Sequence, residues 1–233
     1  MRKIAIVGAD ITEEELLDID LAGYELWSVN NLYVRFPNVK FTRWFELHTF
    51  EKDTESGDVK RRGRETYSNK PVFEYMGDID KLKIPVMMQK KWPGIIRRTR
   101  LFPFRRIMKH YGEYFGCSFA WMTALAIYEH EVKGCPVEEI FYIGVSLAGK
   151  EYYYQRPSTE YFMGLARGKG IECRVHPSSK LLTAKFVYAI RENFSLIHLL
   201  YVYHIDKIAT DAMISVQEIY EDLYDAEADT IQD

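Results

Sequence analysis

Apolar residues in this chain come in short continuous runs parted by polar turns. Residues 3–7 (KIAIV), 24–29 (YELWSV), 43–47 (RWFEL), 84–88 (IPVMM), 139–145 (EIFYIGV) and 171–175 (IECRV) are too short for helices and suit strands buried on both faces. The segments between several of them have helical spacing. Residues 12–18 read as an acidic helical turn with Thr12 as N-cap. Residues 118–132 form a helix that is apolar nearly all round at its start, so it is expected to pack against the sheet, with Trp121, Met122 and Leu125 in the core. Residues 159–167 form another, ended by Gly168 and Gly170. Residues 51–70 carry almost no apolar side chain and read as an exposed excursion. Residues 95–111 read as a basic, partly helical stretch interrupted by Pro103.

Strands that alternate with helices predict an α/β fold, a Rossmann-like mostly parallel sheet with helices on both faces. That domain is expected over residues 1–182. From Leu181 the pattern turns helical, with Phe186, Val187, Ile190, Phe194, Ile197, Leu200 and Tyr201 at spacings of three and four. Residues 183–233 are therefore expected to be a helical extension with an acidic tail. Its helix carries more apolar surface than one contact stripe needs, which predicts a homo-oligomer.

Composition narrows the class without naming a partner. The chain has 233 residues, is 47% hydrophobic and 15% aromatic, and carries a net charge of −3, so it can bury a core. The charge is unevenly spread: residues 81–112 hold ten Lys or Arg and no acid, and after Lys207 there are eight Asp or Glu and no base. Cys117, Cys135 and Cys173 are widely spaced and odd in number, which fits reduced thiols in the cytoplasm rather than a metal or redox pair. The opening MRKIAIVG reads as a strand and not as a signal peptide, and no apolar run reaches the ~18 residues of a membrane span. There is no P-loop, no GxSxG elbow and no HExxH, and the first strand lacks the further glycines of a dinucleotide fingerprint. The six histidines show no metal-ligand spacing, and no cofactor is indicated.

In open α/β sheets ligands bind outside the carboxyl ends of the strands. The residues expected there are Gly8 and Asp10 after the first strand, Asn30 and Asn31 after the second, and Gly144 and Ser146 after the central one, followed by the loop Tyr152, Tyr153, Tyr154, Gln155 and Arg156. Ser118 should start its helix at or near the N-cap, where amides and the dipole favour an anion. Asn30-Asn31 also reads as a simple turn. Three successive tyrosines diverge, so at least one should face a cleft. Arg156 offers a planar fork for phosphate or carboxylate. Glu46 and His48 lie two apart on a strand, so they share a face and form a candidate acid/base pair; a solvated strand end reads equally well. Arg97, Arg98, Arg100, Arg105 and Arg106, interleaved with Phe102 and Phe104, form a candidate nucleic-acid surface, or a basic flap or a partner for the acidic tail.

The succession KIAIVGAD, WSVNNLY, RWFELH, SFAWMTALAIYEHEV, EIFYIGVSLAG, YYYQRP and GIECRVHPSSKLL resembles a group of phage-encoded proteins. More distantly it is similar to the Rossmann-like domain of bacterial alpha-2,3-sialyltransferases, motility accessory factors and archaeal hydroxymethylpterin diphosphokinases. The likeness covers about residues 1–182 and includes the Asn-x-x-Tyr of Asn30 and Tyr33. It implies a nucleotide held by Gly8, Thr12 and Asn30, with its phosphate gripped by Tyr152 or Tyr154. Where the sialyltransferases place a general-base histidine, this chain has Gln155, Arg156 and Pro157, so sialyl transfer itself is not expected. The resulting expectation is a nucleotide-dependent transferase, foremost a glycosyltransferase with a nucleotide-sugar donor. The alternatives are a non-catalytic binder of a nucleotide or protein, acting in sequestration or inhibition of host defence, and a DNA-modifying enzyme.

Overall fold

The computed structural model describes residues 1–149, 152 and 154–184. Residues Met1–Thr183 form one compact unit. The expected helical extension, acidic tail and oligomer-forming helix lie outside the described residues, as do Lys150, Glu151 and Tyr153.

The strands of the main sheet are β1 (Arg2–Val7), β2 (Tyr24–Val29), β3 (Arg43–Glu46), β8 (Val86–Met88), β9 (Thr99–Leu101), β10 (Val137–Ile143) and β11 (Glu172–Val175). Two small hairpins, β4 (Phe50–Lys52) with β5 (Val59–Arg61) and β6 (Thr66–Tyr67) with β7 (Lys70–Pro71), stand apart from that sheet. The helices are α1 (Glu13–Leu17), α2 (Val72–Lys81), α3 (Phe104–Tyr111), α4 (Ser118–Glu131) and α5 (Arg156–Gly168), with a 3-10 turn at Leu32–Val34. The seven-stranded sheet has the order β11-β10-β1-β2-β3-β8-β9, and every neighbouring pair is parallel. This is an α/β, Rossmann-like architecture with helices around a parallel sheet.

Burial on both faces explains the composition of the strands. Ile4, Ala5, Ile6, Val7, Trp44, Phe45, Ile140 and Ile143 are at or near zero exposure. Helix α4 repeats the pattern: Met122, Ala124, Leu125, Ala126 and Ile127 are fully buried, whereas Trp121 packs at the core's margin. Each of the larger side chains among them, Val, Leu, Ile, Phe and Met, contributes roughly 1.5–3 kcal/mol on leaving water. Thr12 caps α1 in a capping box with Glu15, its hydroxyl accepting from the Glu15 amide at 3.2 Å.

Three segments differ from expectation. Residues 51–70 are not a bare excursion, because their hairpins place Val59 and Arg61 in buried positions. Helix α2, absent from the sequence-based expectations, buries Val72, Tyr75, Met76 and Ile79 on one stripe. The basic stretch opens in turns, passes through the edge strand β9 and turns helical only after Pro103, whose fixed φ suits a helix start and not its interior.

The strands run outward from β1 in both directions, so the chain reverses its course between β1 and β10. Their ends are tied together there. The Gly8 amide donates to Ile143 O at 2.8 Å, and the Asp10 amide to Gly144 O at 2.8 Å. A Cβ on Gly8 would lie 2.3 Å from Gly144 O. Gly8→Ala is expected to destabilise the fold by about 1–3 kcal/mol through this overlap with backbone. Gly164→Ala, within α5 with nothing near its missing Cβ, is expected to stabilise by about 0.5–1 kcal/mol. Urea unfolding of the two variants checks both signs.

Candidate functional site

A cavity of about 800 Å³ opens at the carboxyl ends of the strands. It is walled by the loop after β1 (Ala9, Asp10), the turn after β2 (Asn30, Asn31, Leu32), the end of β3 (Leu47, His48), the hairpin residues Arg61, Arg62 and Tyr67, the start of α4 and the loop 144–149 with Tyr152, Tyr154 and Gln155. The reversal of strand order between β1 and β10 leaves the crevice there that parallel sheets use for ligands.

The loop after β10 is braced from behind. Gly144 has φ 64, and Leu147 is also left-handed at φ 49. The Gly144 amide donates to Ser178 Oγ and the Val145 amide to Ser179 Oγ, each at 2.9 Å. Ser179 Oγ in turn donates to Tyr142 O at 3.2 Å, and Ser146 Oγ to Ser178 O at 3.1 Å. The serines of the Pro177–Leu182 segment therefore fix this wall, and the Gly144 and Val145 amides are already used.

Helix α4 begins at Ser118, with Cys117 and not Ser118 as N-cap, and no side chain caps it. Gly116, Cys117, Ser118 and Phe119 line the cavity. The first amides of a helix lack intrahelical partners and carry the positive end of its dipole. This end is lashed to α5: the Gly116 amide donates to Ser158 Oγ at 2.9 Å, and Cys117 Sγ lies 3.2 Å from Thr159 Oγ1. Phe115, also on the wall, stacks on Trp121 with centroids 3.5 Å apart and planes 4° from parallel. Phe162 stacks on Phe115 as well, at 4.6 Å and 15° from parallel, so this wall is a packed aromatic stack.

Asn30 occupies a left-handed backbone position, φ 55, which asparagine tolerates better than most residues. Its amide donates to Phe45 O at 3.1 Å, and its carbonyl accepts from Trp44 Nε1 at 3.0 Å. Its side-chain Oδ1 is buried without a partner among the described residues. Asn31 turns instead toward the hairpins, its Nδ2 donating to Ser68 Oγ at 3.1 Å.

Glu46 and His48 share one face of the chain, and they touch. His48 Nδ1 lies 2.5 Å from Glu46 Oε1, and the His48 amide donates to the same oxygen at 3.2 Å. Glu46 is fully buried, and its other oxygen accepts from the buried Tyr75 hydroxyl. Arg61 completes the cluster: its Nη2 is 3.6 Å from Glu46 Oε1 and 2.5 Å from His48 Nδ1. Burial pushes the Glu46 carboxyl up, but the hydrogen bond from His48, the nearby Arg61 and His48 charges and the Tyr75 hydroxyl outweigh it and hold it below its ordinary value. His48 lines the cavity, and its Nε2 has no hydrogen-bond partner among the described residues. This arrangement orients an imidazole by a buried carboxylate, the geometry that a histidine acting on protons requires.

Four residues expected at the ligand are occupied elsewhere. Gly8 lies beneath the cavity against Gly144, where it permits the strand ends to close. Thr12 is engaged in the α1 capping box, since its hydroxyl already serves the Glu15 amide. Tyr33 packs its ring against Trp44 and Tyr75, behind the wall. Arg156 donates to Glu160 Oε1 at 2.7 Å and to Thr183 O at 2.8 Å, so the first turn of α5 holds its fork. Asp10, Asn30, Asn31, His48, Ser118, Gly144, Ser146, Tyr152, Tyr154 and Gln155 do line the cavity. None of Arg97, Arg98, Arg100, Arg105 or Arg106 does: Arg97 pairs with Asp80, and Arg98 bonds Lys83 O at the sheet edge.

Sequence reading missed Arg61, Arg62 and Tyr67. Their signal is the Arg-Arg-Gly turn inside a stretch otherwise poor in apolar residues, which nothing local ties to a cleft. Among the described residues no cluster of three or more His, Cys, Asp or Glu is placed to hold a metal ion, and no helix is long and apolar enough to cross a membrane.

A carboxyl held below its unfolded value adds stability that is complete above the unfolded pKa of about 4.3 and is lost as pH falls through the lower folded value. Removing one partner of a buried pair typically costs about 3–5 kcal/mol. Glu46→Gln is thus expected to cost about that much at neutral pH, with the gap to wild type narrowing once the pH drops below about 4. Urea midpoints across that range test it, and a gap that stays constant into acid would refute the charged state of Glu46.

Compared with family models, with curated proteins and with solved structures, the chain matches none of them, so a functional reading rests on its own residues.

Proposed function

We propose that this protein is a nucleotide-dependent transferase that works in the cleft at the β1/β10 reversal, with a nucleotide sugar as donor. The observation that carries the reading is the Glu46–His48 pair, a buried carboxylate 2.5 Å from an imidazole on the cavity wall. The aromatic wall around Phe115 and Trp121 gives the ligand an apolar surface, and the uncapped start of α4 suits a phosphate. Asn30 Oδ1, an acceptor without a partner, suits an amino or hydroxyl donor of the ligand.

In this reading His48 Nε2 takes the proton of an acceptor hydroxyl. The hydroxyl oxygen forms its bond to the anomeric carbon as the bond to the nucleotide phosphate breaks, and the electron pair leaves with the phosphate. Glu46 orients the ring through Nδ1 and stabilises the imidazolium that forms. Tyr152, Tyr154, Gln155 and Ser118 border the space where the departing phosphate is held. The other reading is a binder that holds a nucleotide without turning it over. It draws on Arg61, whose contact with His48 Nδ1 ties the imidazole into an ion cluster.

A thermal-shift screen of nucleotides, nucleotide sugars and cyclic nucleotides finds the ligand, since a ligand of the native state raises Tm by mass action. Product formation is then compared for wild type, His48→Ala and Glu46→Gln. A transferase of this kind loses on the order of 10²–10⁴-fold in kcat in both variants, with ligand affinity kept within a few-fold. Tight binding with no turnover over a broad acceptor panel would establish the binder instead. Turnover indifferent to both changes would remove these residues from the chemistry.

A further inference from the structure

Residues 81–112 hold ten Lys or Arg and no acid, and the fold sets part of this charge beside the cleft. Every strand of the main sheet is parallel to its neighbours, so the carboxyl ends share one edge. Lys90 and Lys91 follow β8 there, and Arg105 and Arg106 lie in the first turn of α3, just beyond β9. Each group is one contact away from the cavity wall. Gln89 Nε2 donates to Leu47 O at 2.9 Å, and the Phe104 ring meets Trp121 edge-on with centroids 4.8 Å apart. Leu47 and Trp121 both line the cavity.

This charge is unneutralised, and it is set against its own helix. Arg105, Arg106 and Lys109 are exposed, and Lys109 lies four and three residues from the two arginines, so the three share one stripe of α3. Like charges at that spacing repel. Cations in a first turn also oppose the helix dipole, which favours acids there, and the first turn of α3 has none. Among the described residues, Arg97 is the one cation of residues 90–109 that pairs with a carboxylate, Asp80 at 2.9 Å. By contrast Arg2, Arg43, Lys60 and Arg174 each hold a carboxylate at 2.6–2.9 Å. Exposed aromatic rings adjoin the stripe. Tyr114, three residues beyond the end of α3, is 53% exposed and stands edge-on to Tyr161, 49% exposed, with centroids 5.6 Å apart. The residue after it, Phe115, is already on the cavity wall.

We propose that this edge binds single-stranded nucleic acid, with Lys90, Lys91, Arg105, Arg106 and Lys109 on its phosphates and Tyr114 and Tyr161 stacking its bases. The proposal concerns a surface outside the cavity and stands apart from the chemistry at His48. Solvated cations gain little from one anion, but a chain of phosphates meets several of them at once and releases its condensed counterions. The aromatic faces separate this partner from an acidic peptide, because every base has a face to stack on them. A duplex keeps its bases stacked on one another and has none to offer Tyr114, which selects the single strand.

Fluorescein-labelled oligo-dT and oligo-U of about twenty nucleotides are titrated with the full chain, and anisotropy is followed from about 0.05 to 0.3 M NaCl. The two strands are the arms that distinguish DNA from RNA. Single strands release about 0.7 counterion per phosphate contacted, so five cations predict a slope of log K against log salt of about −3.5. Replacing both Arg105→Gln and Arg106→Gln is expected to make that slope shallower by about 1.4 and to weaken binding on the order of tens of fold at the lowest salt. Tyr114→Ala is expected to weaken binding by about tenfold with the slope unchanged. All three side chains are exposed, and urea midpoints verify that the variants keep the fold. No binding of either strand by the wild type at the lowest salt overturns the proposal, whatever the variants do. So does a duplex of the same length bound more tightly than the strand, or poly-glutamate displacing the strand as well as unlabelled strand does. An arginine double variant with an unchanged slope also overturns it. Turnover of small acceptors in the cleft by a chain that binds no strand sinks this proposal and leaves the transferase standing.

Discussion

The contact on which the cleft depends is the approach of two backbones at Gly8 and Gly144. Parallel strands leave their carboxyl-end loops on one edge of the sheet, and a reversal of strand order parts two of those loops. Here the parted loops still bond, through the Gly8 and Asp10 amides, and the pair closes only because Gly8 has no side chain to strike Gly144 O. A dinucleotide-binding fold uses several glycines at this point to admit a pyrophosphate to the backbone. This chain uses its glycines to bring loop against loop, and Ser178 and Ser179 take the Gly144 and Val145 amides. The polar side chains that line the cleft therefore come from its other walls: His48, Asn30, Arg61, Arg62, Tyr152, Tyr154 and Gln155.

That shift accounts for the buried cluster on the β3 side. A carboxylate with no exposure is costly unless it is paired and hydrogen-bonded. Glu46 accepts from the Tyr75 hydroxyl on one oxygen and from the His48 amide on the other, where it also meets the imidazole and faces Arg61. Tyr75 comes from α2 and Arg61 from β5, so β3 contributes only the centre of the arrangement. The hairpins and α2 are what make Glu46 tolerable in the interior, and in doing so they set His48 at the cavity.

The sequence made the parallel sheet legible because its inner strands β1, β3, β8 and β10 are largely buried on both faces and so read as short apolar runs, whereas the edge strands β9 and β11 expose Arg100, Leu101, Glu172 and Arg174. The same logic located α4, whose apolar ring from Met122 to Ile127 has no polar face. It also put Asp10, Asn30, Gly144 and the tyrosine loop near strand ends. What it could not supply was which side chains near those ends remain available. Arg156 has the right chemistry for phosphate and lies in the right loop, but Glu160 one helical turn on holds it, as i,i+4 pairs do. Thr12 reads both as a phosphate ligand and as an N-cap, and the cap prevails because Glu15 stands three residues later. Arg61 failed for the opposite reason: its environment is built by Glu46, His48 and Tyr67, and the β4–β5 pairing that carries it there has few apolar positions to announce it.

Confinement of charge also distinguishes the cleft from the basic edge of the sheet. At the edge, Arg97 stays 76% exposed and pairs with Asp80, where water screens much of the interaction. In the cleft, Arg61 is almost wholly withdrawn from water, so each bond it makes or lacks weighs more. An orphan donor in that setting favours whatever oxygen reaches it. The edge arginines, already solvated, gain little from a single new partner and depend on many phosphates at once to hold a polyanion. The two basic regions therefore differ in how far their charge is withdrawn from water, and of the two only Arg61 and Arg62 border the cavity.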